Sequence, residues 1–290
     1  MAILLSGKEL AAAIKQDASR RILALRSKLG ITPSLALILI GSNEDSRKYV
    51  ELKAKQCRGA GISANIHQLS ERISPQELSK KIEELNKDPK VHGILVQLPI
   101  PRSLNDTLDT ISVEKDVDGL TSSSLGRIVQ GREGYAPAGA EAIVELLSTN
   151  KIDLMSRHVV IIGSSNILGK PLAGLLANKG AVVTLLPSYG KDIAEFTKDS
   201  DIVVVDVGRP KSLTRDMISQ GNVIIDAGNN YLDGKLVGDV DFESVKRIAQ
   251  AITPVPGGVG PMLVAVLIRN LVKAAERQVK TKLGMTTKRA

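Results

Sequence analysis

The chain has 290 residues, of which 43% are hydrophobic and 24% charged, and its formal net charge is +8. This length suits two domains of ordinary size, and this balance is typical of a globular protein rather than a disordered one. Only 2% of the residues are aromatic and none is Trp. Stacking on aromatic side chains is therefore excluded as a main binding device, which argues against single-stranded nucleic acid.

The charged and sulfur-containing residues exclude further classes of protein. The basic residues are spread along predicted helices, apart from Lys280, Lys282, Lys288 and Arg289 near the end, so no nucleic-acid partner is expected. The single Cys57 excludes an intramolecular disulfide and a Cys-rich zinc site, and the three His residues lack ligand spacing, so no metal is expected. Without a signal-peptide pattern or a membrane-spanning apolar run, we expect a cytoplasmic protein with no membrane partner.

Short apolar runs alternate with amphipathic stretches along the chain, which is typical of β-α units around parallel sheets. The runs predicted as strands are Ala36–Ile40, Ser63–Gln68, Gly93–Leu98, His158–Ile162, Val182–Leu186, Ile202–Val207 and Val223–Asp226. The stretches predicted as helices are Gly7–Leu29, Asp45–Gly59, Pro75–Asn86 and Met262–Val279, with Ser74 as the N-cap of the third. The predicted fold class is α/β, with mostly parallel sheets in two domains and a cleft between the domains.

The helix predicted at Asp45–Gly59 carries four side chains at spacings of three or four, so they share one face. They are Ser46, Tyr49, Lys53 and Cys57. A Tyr one turn away from a Lys can hydrogen-bond the amine and hold it in one rotamer. An ordinary amphipathic helix with a solvated lysine explains the same pattern.

Two later segments carry polar groups at positions that suit ligand binding. Gln97 lies near the carboxyl end of the apolar run at residues 91–99, where open α/β sheets place their ligands. In the turn at residues 114–119, Asp118 precedes Gly119, and its carboxylate can accept two hydrogen bonds from an aminopyrimidinone edge. Turn chemistry alone explains an Asp at this position equally well.

The segment at residues 130–142 is rich in Gly, Ala and Pro and predicts a domain boundary near Ala138. Residues 1–138 would form the first domain, completed by a helix at residues 262–290, and residues 139–261 the second. Near the end of the second domain, residues 252–261 include three prolines and three glycines, so they form neither a helix nor a central strand. A pocket wall and an interdomain hinge both fit such a loop.

A glycine-containing loop, residues 163–171 (GSSNILGKP), follows the strand predicted at His158–Ile162. Gly163 and Gly169 allow a tight turn and a close approach to a pyrophosphate, whose charge is stabilised by amides at a helix N-terminus. The second domain is therefore predicted to be Rossmann-like and to bind a dinucleotide, although a structural β-α turn is the alternative. At the end of the next strand, where the adenosine ribose binds, no acid is present and Ser188 can hydrogen-bond a hydroxyl or a phosphate.

Four segments resemble the methylenetetrahydrofolate dehydrogenase/cyclohydrolase family in the same order along the chain: YVELK at residues 49–53, HGILVQLP at 92–99, KDVDG at 115–119 and ITPVPGGVGPM at 252–262. The resemblance spans nearly the whole chain. It implies a homodimeric, multifunctional enzyme of one-carbon metabolism and purine biosynthesis. Such an enzyme transfers a hydride from 5,10-methylenetetrahydrofolate to NADP and hydrolyses the methenyl product to 10-formyltetrahydrofolate at the same site.

The resemblance also implies a role for individual residues. Lys53 would be the general acid/base, Tyr49 its orienting partner, Gln97 the residue that positions Lys53, and Asp118 the pterin anchor. The other residues expected to contact the substrate are Leu98, Pro256, Gly257, Gly258 and Pro261. The residues expected to contact the cofactor are Gly163, Ser164, Ser165, Ile167, Gly169, Ser188, Gly208 and Thr253.

Departures from the family pattern cluster around the cofactor. Ser164 stands where the family commonly has an Arg for the 2′-phosphate of NADP, so NAD is the alternative cofactor. Pro187 replaces a His before Ser188, residues 137–140 (PAGA) replace Pro-Cys-Thr-Pro, and Leu263 replaces a Thr. Two alternatives stay open: a cyclohydrolase with weak dehydrogenase activity, and a non-catalytic folate-binding paralogue. A nucleic-acid-binding Rossmann protein is the least favoured.

Overall fold

The structure, a computed structural model, describes residues 2–190, 193–232 and 234–282. The chain divides into two compact units. The six-stranded unit contains the described residues of Met1–Ala12 and Arg127–Leu263, and the three-stranded unit contains those of Ala13–Gly126 and Val264–Ala290. Lys288 and Arg289 of the predicted basic tail lie outside the described residues.

Strands and helices alternate along the chain as predicted. The strands are β1 (Ile3–Leu4), β2 (Ser34–Ile40), β3 (Ser63–Leu69), β4 (Gly93–Val96), β5 (His158–Ile162), β6 (Val182–Leu186), β7 (Ile202–Val205), β8 (Val223–Asp226), β9 (Asn230–Leu232), β10 (Lys235–Val237) and β11 (Ala251–Ile252). The α-helices are α1 (Lys8–Leu29), α2 (Glu44–Gly59), α3 (Pro75–Lys87), α4 (Ser122–Val129), α5 (Ala138–Thr149), α6 (Gly169–Ala177), α7 (Ile193–Lys198), α8 (Phe242–Val245) and α9 (Gly260–Lys282), with 3-10 helices at Arg102–Thr110 and Arg215–Met217.

The three-stranded unit is built on a parallel sheet in the order β3-β2-β4. Every residue of the central strand β2 is buried, because elements cover both faces of the sheet, as is usual for parallel strands. One face contributes alternate residues of β2, such as Ile38, to an apolar cluster that includes Leu78 and Ile82 of α3. The pleat of the strand therefore determines which side chains of β2 face α3.

Helix α3 is held at both ends. Ser74 is its N-cap, as predicted, and forms a capping box with Glu77, which satisfies amides that lack an intrahelical partner. At the other end, the buried Lys115 donates from Nζ to the carbonyl oxygens of Leu85 at 2.9 Å, Asn86 at 2.7 Å and Asp88 at 2.8 Å. An ammonium group at the carboxyl end of a helix complements the helix dipole, so this lysine of the KDVDG segment stabilises the fold.

Helix α9 packs within the three-stranded unit through its later turns. Asn270 donates from Nδ2 to the carbonyl oxygen of Val117 at 3.1 Å, and Arg21 pairs with Glu276 at 2.6 Å. A Cβ added at Gly93 would lie 2.6 Å from Leu271 Cδ1, so a glycine is needed where this helix approaches β4. The carboxyl-terminal helix is therefore part of the same core as β2 and β4.

The six-stranded unit is built on a second parallel sheet, in the order β1-β11-β8-β7-β5-β6. Its core is a cluster of aliphatic side chains that includes Val160, Val203 and Ile224 from the three central strands. The short strand β1 pairs with β11 in the register Ile3↔Ala251. This long-range pairing places the first residues of the chain in the six-stranded unit. Residues 127–138 also belong to this unit, whereas the sequence predicts both segments to lie in the first domain. Compact units and functional domains are separate descriptions, so the boundary near Ala138 stays a prediction.

The predicted fold class is confirmed: two α/β units contain parallel sheets, and the β9-β10 pair is antiparallel. The predicted strands at His158–Ile162, Val182–Leu186 and Val223–Asp226 have the predicted bounds, and the other predicted strands overlap observed ones. Among the described residues, no helix combines the length and apolar character needed to cross a bilayer.

The burial of Cys57 predicts that its thiol is unreactive in the folded protein. Burial raises the pKa of Cys57 to about 12, although the nearby charges of Lys53, Lys15 and Arg58 lower it. Because the thiolate is the nucleophile, we expect no labelling by iodoacetamide at about pH 8 in native protein and full labelling in guanidinium chloride. Mass spectrometry measures the extent of labelling. Rapid labelling of protein with an unchanged circular dichroism spectrum would contradict this prediction.

Candidate active site

Lys53 and Gln97 meet at the carboxyl end of the three-stranded sheet. Lys53 donates from Nζ to Gln97 Oε1 at 3.0 Å, and Gln97 donates from Nε2 to the carbonyl oxygen of Leu98 at 2.6 Å. The backbone amide of Gln97 donates to the carbonyl oxygen of Ile38 at 2.9 Å, which holds Gln97 directly after the last paired residue of β4. The side-chain amide is thus fixed at both ends and directs the lysine amine.

Helix α2 places Lys53 at the border of its buried face. Of the four residues predicted to share one face, Ser46 and Cys57 are buried, Lys53 is half-buried, and Tyr49 is 39% exposed. The buried stripe continues through Val50 and Ala54, so Tyr49 and Lys53 lie beside it rather than within it. The structure therefore holds the lysine by Gln97 while leaving part of its side chain accessible to a ligand.

The turn after residue 115 is formed by Asp116, which the sequence analysis did not single out. Its carboxylate is 1% exposed and accepts from the amides of Leu120 at 3.1 Å and Thr121 at 2.9 Å. Asp118 is half-buried and precedes Gly119, whose φ is 64°. Asp116 therefore bonds the backbone of this turn, and the role of Asp118 stays a prediction.

The loop at residues 252–261 lies in the six-stranded unit and is tightly packed on itself. A Cβ added at Gly258 would lie 2.7 Å from Thr253 Cβ, and one added at Gly7 would overlap the carbonyl oxygen of Gly258. Thr253 is buried, and its hydroxyl accepts from the amide of Asp226 at 2.7 Å. Pro256 is exposed, and Pro261 is half-buried in the first turn of α9. Close contacts therefore require a glycine at position 258 of the loop, and the φ of 119° favours one at position 257.

The glycines of the predicted nucleotide loop are required by close contacts with neighbouring backbone. Gly163 has a φ of 115°, and a Cβ there would overlap the carbonyl oxygen of Asp206. A Cβ at Gly169 would overlap the carbonyl oxygen of Gly163. Ser165 accepts through Oγ from the amide of Leu168 at 3.1 Å, just before α6 begins. The loop between these two glycines is the cradle in which a dinucleotide pyrophosphate is predicted to bind.

The remaining predicted cofactor residues lie in loops of the six-stranded unit. Ser164 and Ser188 are half-buried, Ile167 is 47% exposed, and Gly208 is exposed with a φ of 71°. The structure brings Ser188 together with Arg209, which the sequence analysis did not consider. Arg209 donates from Nη2 to the carbonyl oxygen of Ser188 at 3.4 Å.

Buried carboxylates support the loop after β7, and the sequence analysis also missed them. Asp239 accepts through Oδ2 from the amides of Val207 at 2.6 Å and Gly208 at 3.0 Å. Burial raises the pKa of Asp206, and the charge of Asp239 raises it further. Within the part of the chain that the structure describes, no group of three or more His, Cys, Asp or Glu residues is arranged to hold a metal ion.

Comparisons with known proteins match both units. The family model of the tetrahydrofolate dehydrogenase/cyclohydrolase catalytic domain matches residues 5–118, and that of the NAD(P)-binding domain of the same enzymes matches residues 137–279. The bifunctional protein FolD of Wolinella succinogenes is 45% identical over 281 residues, which cover 96% of this chain and 98% of that protein.

Two solved structures are similar over nearly the whole chain. The bifunctional enzyme FolD, methylenetetrahydrofolate dehydrogenase/cyclohydrolase, from Campylobacter jejuni is 43% identical with a TM-score of 0.92, covering 96% of this chain and 99% of that one. The methylenetetrahydrofolate dehydrogenase-cyclohydrolase of Trypanosoma brucei, solved with NADP cofactor and an inhibitor, is 33% identical with a TM-score of 0.91 and the same coverage, 96% and 99%.

The contacts of Gly169 predict that an alanine there destabilises the six-stranded unit. A Cβ would collide with backbone that cannot rotate away, so we expect Gly169→Ala to lower the free energy of unfolding by about 2–4 kcal/mol. Gly174→Ala, in the same helix, is the matched control, because its Cβ would make ordinary contacts of 3.4 Å with Ile128 and Val129. Denaturant unfolding measures both variants, and equal stabilities would contradict the prediction.

Proposed function

The chain belongs to the tetrahydrofolate dehydrogenase/cyclohydrolase family, and from this premise we propose that it is a bifunctional enzyme of one-carbon metabolism. It oxidises 5,10-methylenetetrahydrofolate to 5,10-methenyltetrahydrofolate and hydrolyses this product to 10-formyltetrahydrofolate. The observation that carries the proposal is the hydrogen bond from Lys53 Nζ to Gln97 Oε1, because it directs an amine at the edge of the sheet where ligands bind.

Lys53 moves the protons of the second reaction. NADP, when bound, supplies the hydride acceptor. Hydride loss leaves a cationic methenyl carbon between two folate nitrogens, and water attacks this carbon. The attacking water loses a proton, the ring opens when one carbon–nitrogen bond breaks, and the departing nitrogen gains a proton. A single amine within hydrogen-bond reach can accept the first proton and donate the second.

Gln97 and Tyr49 act on the lysine rather than on the reacting atoms. The amide of Gln97 accepts from the amine and is itself held by the backbone of Leu98 and Ile38, so the lysine side chain loses little conformational entropy when substrate binds. Tyr49 lies one turn before Lys53 on α2, and we assign it the role of orienting partner.

Asp118 anchors the pterin. The pterin ring presents paired N–H donors along one edge, and a carboxylate accepts both in a charge-assisted, two-point contact. The proposal is supported by the half-buried position of Asp118, two residues after Asp116, whose backbone forms a parallel bridge with Ile94 of β4. Leu98, Pro256, Gly257, Gly258 and Pro261 complete the substrate contacts that we propose.

The NAD(P)-binding domain at residues 137–279 takes NADP in preference to NAD in our proposal. A similar enzyme, that of Trypanosoma brucei, was solved with NADP, and the net charge of +8 favours the cofactor with the additional phosphate. The cradle at Gly163 and Gly169 holds the pyrophosphate, with Ser164, Ser165 and Ile167 between them. Ser188, Gly208 and Thr253 are the further cofactor contacts. We also propose that the enzyme is a cytoplasmic homodimer.

A cyclohydrolase with weak hydride transfer is the second candidate function. The first turn of α5 contains Ala138, Gly139 and Ala140, and both alanines are buried, so this segment offers no side-chain hydroxyl to the reacting centre. Rates of methenyl formation with NADP and with NAD, compared with the rate of methenyl hydrolysis, distinguish the two functions. Turnover in both assays supports the bifunctional enzyme, and folate binding without either activity would identify a non-catalytic paralogue.

Replacement of Lys53 tests its role in proton transfer. We expect Lys53→Met to lower cyclohydrolase turnover by at least about 100-fold, because a positioned acid/base contributes that much, while circular dichroism stays unchanged. Lys55→Met removes an exposed lysine from the same helix and is expected to keep full activity. Hydrolysis at the wild-type rate in Lys53→Met would remove this lysine from the mechanism.

Replacement of Asp118 tests the pterin anchor. Loss of charge-assisted hydrogen bonds should raise the KM for the folate substrate by roughly 10- to 100-fold in Asp118→Ala, with a smaller effect on the KM for the dinucleotide. Glu114→Ala, which removes an exposed carboxylate from the same turn region, serves as the control. Equal KM values for folate in the two variants would refute the assignment.

A further inference from the structure

An arginine lies at the edge where a doubly wound sheet meets the adenosine ribose. Strand β5 lies between β6 and β7 in the sheet, and the residue that follows its last residue, Ile162, is Gly163, which has no side chain. The loops after β6 and β7 meet across this end, because Arg209 in the second loop donates from Nη2 to the carbonyl oxygen of Ser188 in the first. The guanidinium carbon also lies 5.3 Å from the ring centroid of Tyr189.

The backbone that carries Arg209 is fixed on both sides. Before it, the amides of Val207 and Gly208 donate to the buried carboxylate of Asp239. At Arg209 itself, the carbonyl oxygen accepts from the hydroxyl of Ser212 at 2.8 Å. A backbone held in this way loses little freedom when a ligand binds. The backbone position of Arg209 is therefore set before the cofactor arrives.

The side chain, by contrast, is exposed and only weakly engaged. Its bond to Ser188 uses one of the five N–H donors of a guanidinium, and an exposed cation–π contact such as that with Tyr189 contributes only about 0.5–1 kcal/mol. Arg209 can therefore turn from these contacts toward a phosphate, whose oxygens match the planar fork of a guanidinium.

The residues at the end of β6 favour a phosphate over a free hydroxyl. Enzymes that select NAD place an acid there to bind the ribose hydroxyls, whereas an arginine nearby accommodates the 2′-phosphate of NADP. Residues 187–190 are Pro, Ser, Tyr and Gly, so no carboxylate of this segment would repel the phosphate. Ser188 adds a hydroxyl beside Arg209.

We propose that Arg209 binds the 2′-phosphate of NADP and is the specificity-determining residue for NADP over NAD, in place of the arginine that Ser164 replaces. This inference rests on the proposed dehydrogenase function for its kinetic consequence. Its binding consequence is independent of folate chemistry, because the adenosine half of the cofactor can be tested alone.

The test compares Arg209→Gln and Arg209→Lys with Lys211→Gln, which removes an exposed positive charge two residues further along the same loop. Calorimetry measures the binding of adenosine 2′,5′-bisphosphate and of 5′-AMP, and the dehydrogenase assay gives kcat/KM for NADP and NAD. In Arg209→Gln we expect affinity for the bisphosphate to fall roughly 10- to 100-fold with AMP binding unchanged. The ratio of kcat/KM for NADP to that for NAD should fall by a similar factor, chiefly through the KM for NADP.

The other variants separate the effect of the planar guanidinium group from the effect of a positive charge in the same loop. Arg209→Lys should lie between wild type and Arg209→Gln, since lysine offers a point charge without the planar fork, and Lys211→Gln should stay within about twofold of wild type because exposed charges are screened. Equal bisphosphate affinities in wild type and Arg209→Gln, or wild-type preference for NAD, would overturn the inference. If the bisphosphate result holds but no methenyl product forms with either cofactor, the proposed dehydrogenase function fails and the phosphate assignment stands.

Discussion

The hydrogen bond between Lys53 and Gln97 depends on the parallel register of β2 and β4. The two strands pair from Leu35↔Gly93 to Ile38↔Val96, so Gln97 is the first residue beyond the pairing and lies at the edge where α2 also follows β2. A shift of one residue would turn the amide of Gln97 to the opposite face of the sheet. The position of the Lys53 amine therefore depends on the buried apolar residues of β2 that set this register.

In the six-stranded unit, buried carboxylates hold the backbone of the loops in place. Asp226 accepts from the amides of Gly228, Asp239 and Val240, and Asp239 accepts from those of the loop after β7. Burial raises the pKa of Asp226 to about 6, and these backbone donors oppose that rise. Carboxylates that accept several hydrogen bonds rigidify their surroundings. The backbone at Arg209 is therefore held in place although the neighbouring Gly208 is exposed.

The same network explains two glycines that no periodic pattern would identify. A Cβ at Gly228 would collide with the carboxylate of Asp239, and one at Gly238 with that of Asp226. The sequence predicted the long strands because their apolar runs carry a local signal. It did not predict β1 and β11, which are two residues each and are defined by long-range pairing, β1 with β11 and β11 with β8. Nor did it predict that Asp226 and Asp239, on either side of the β9-β10 hairpin, are joined.

The residues of the candidate site could be predicted to different degrees, because only some of them stand in segments that carry a local sequence signal. Lys53 and Gln97 stand in segments whose order along the chain identifies the family, and the structure brings them together. Asp116 and Asp118 lie two residues apart in one turn, and no sequence pattern shows that Asp116 accepts from the amides of Leu120 and Thr121. Contacts between residues distant in sequence, such as that of Arg209 with Ser188, leave no local signal at all.

The departures from the family pattern all lie in one of the two compact units. Residues 137–140, Ser164, Pro187 and Leu263 all belong to the six-stranded unit, whereas Lys53 and its partners belong to the three-stranded unit. Each unit has its own aliphatic core and its own parallel sheet, so substitutions in the loops of one leave the packing of the other intact. A change in the loops of the six-stranded unit therefore leaves the register that aligns Lys53 with Gln97 undisturbed. In our proposal, the chemistry at the folate and the choice of dinucleotide are consequently separable properties of this chain.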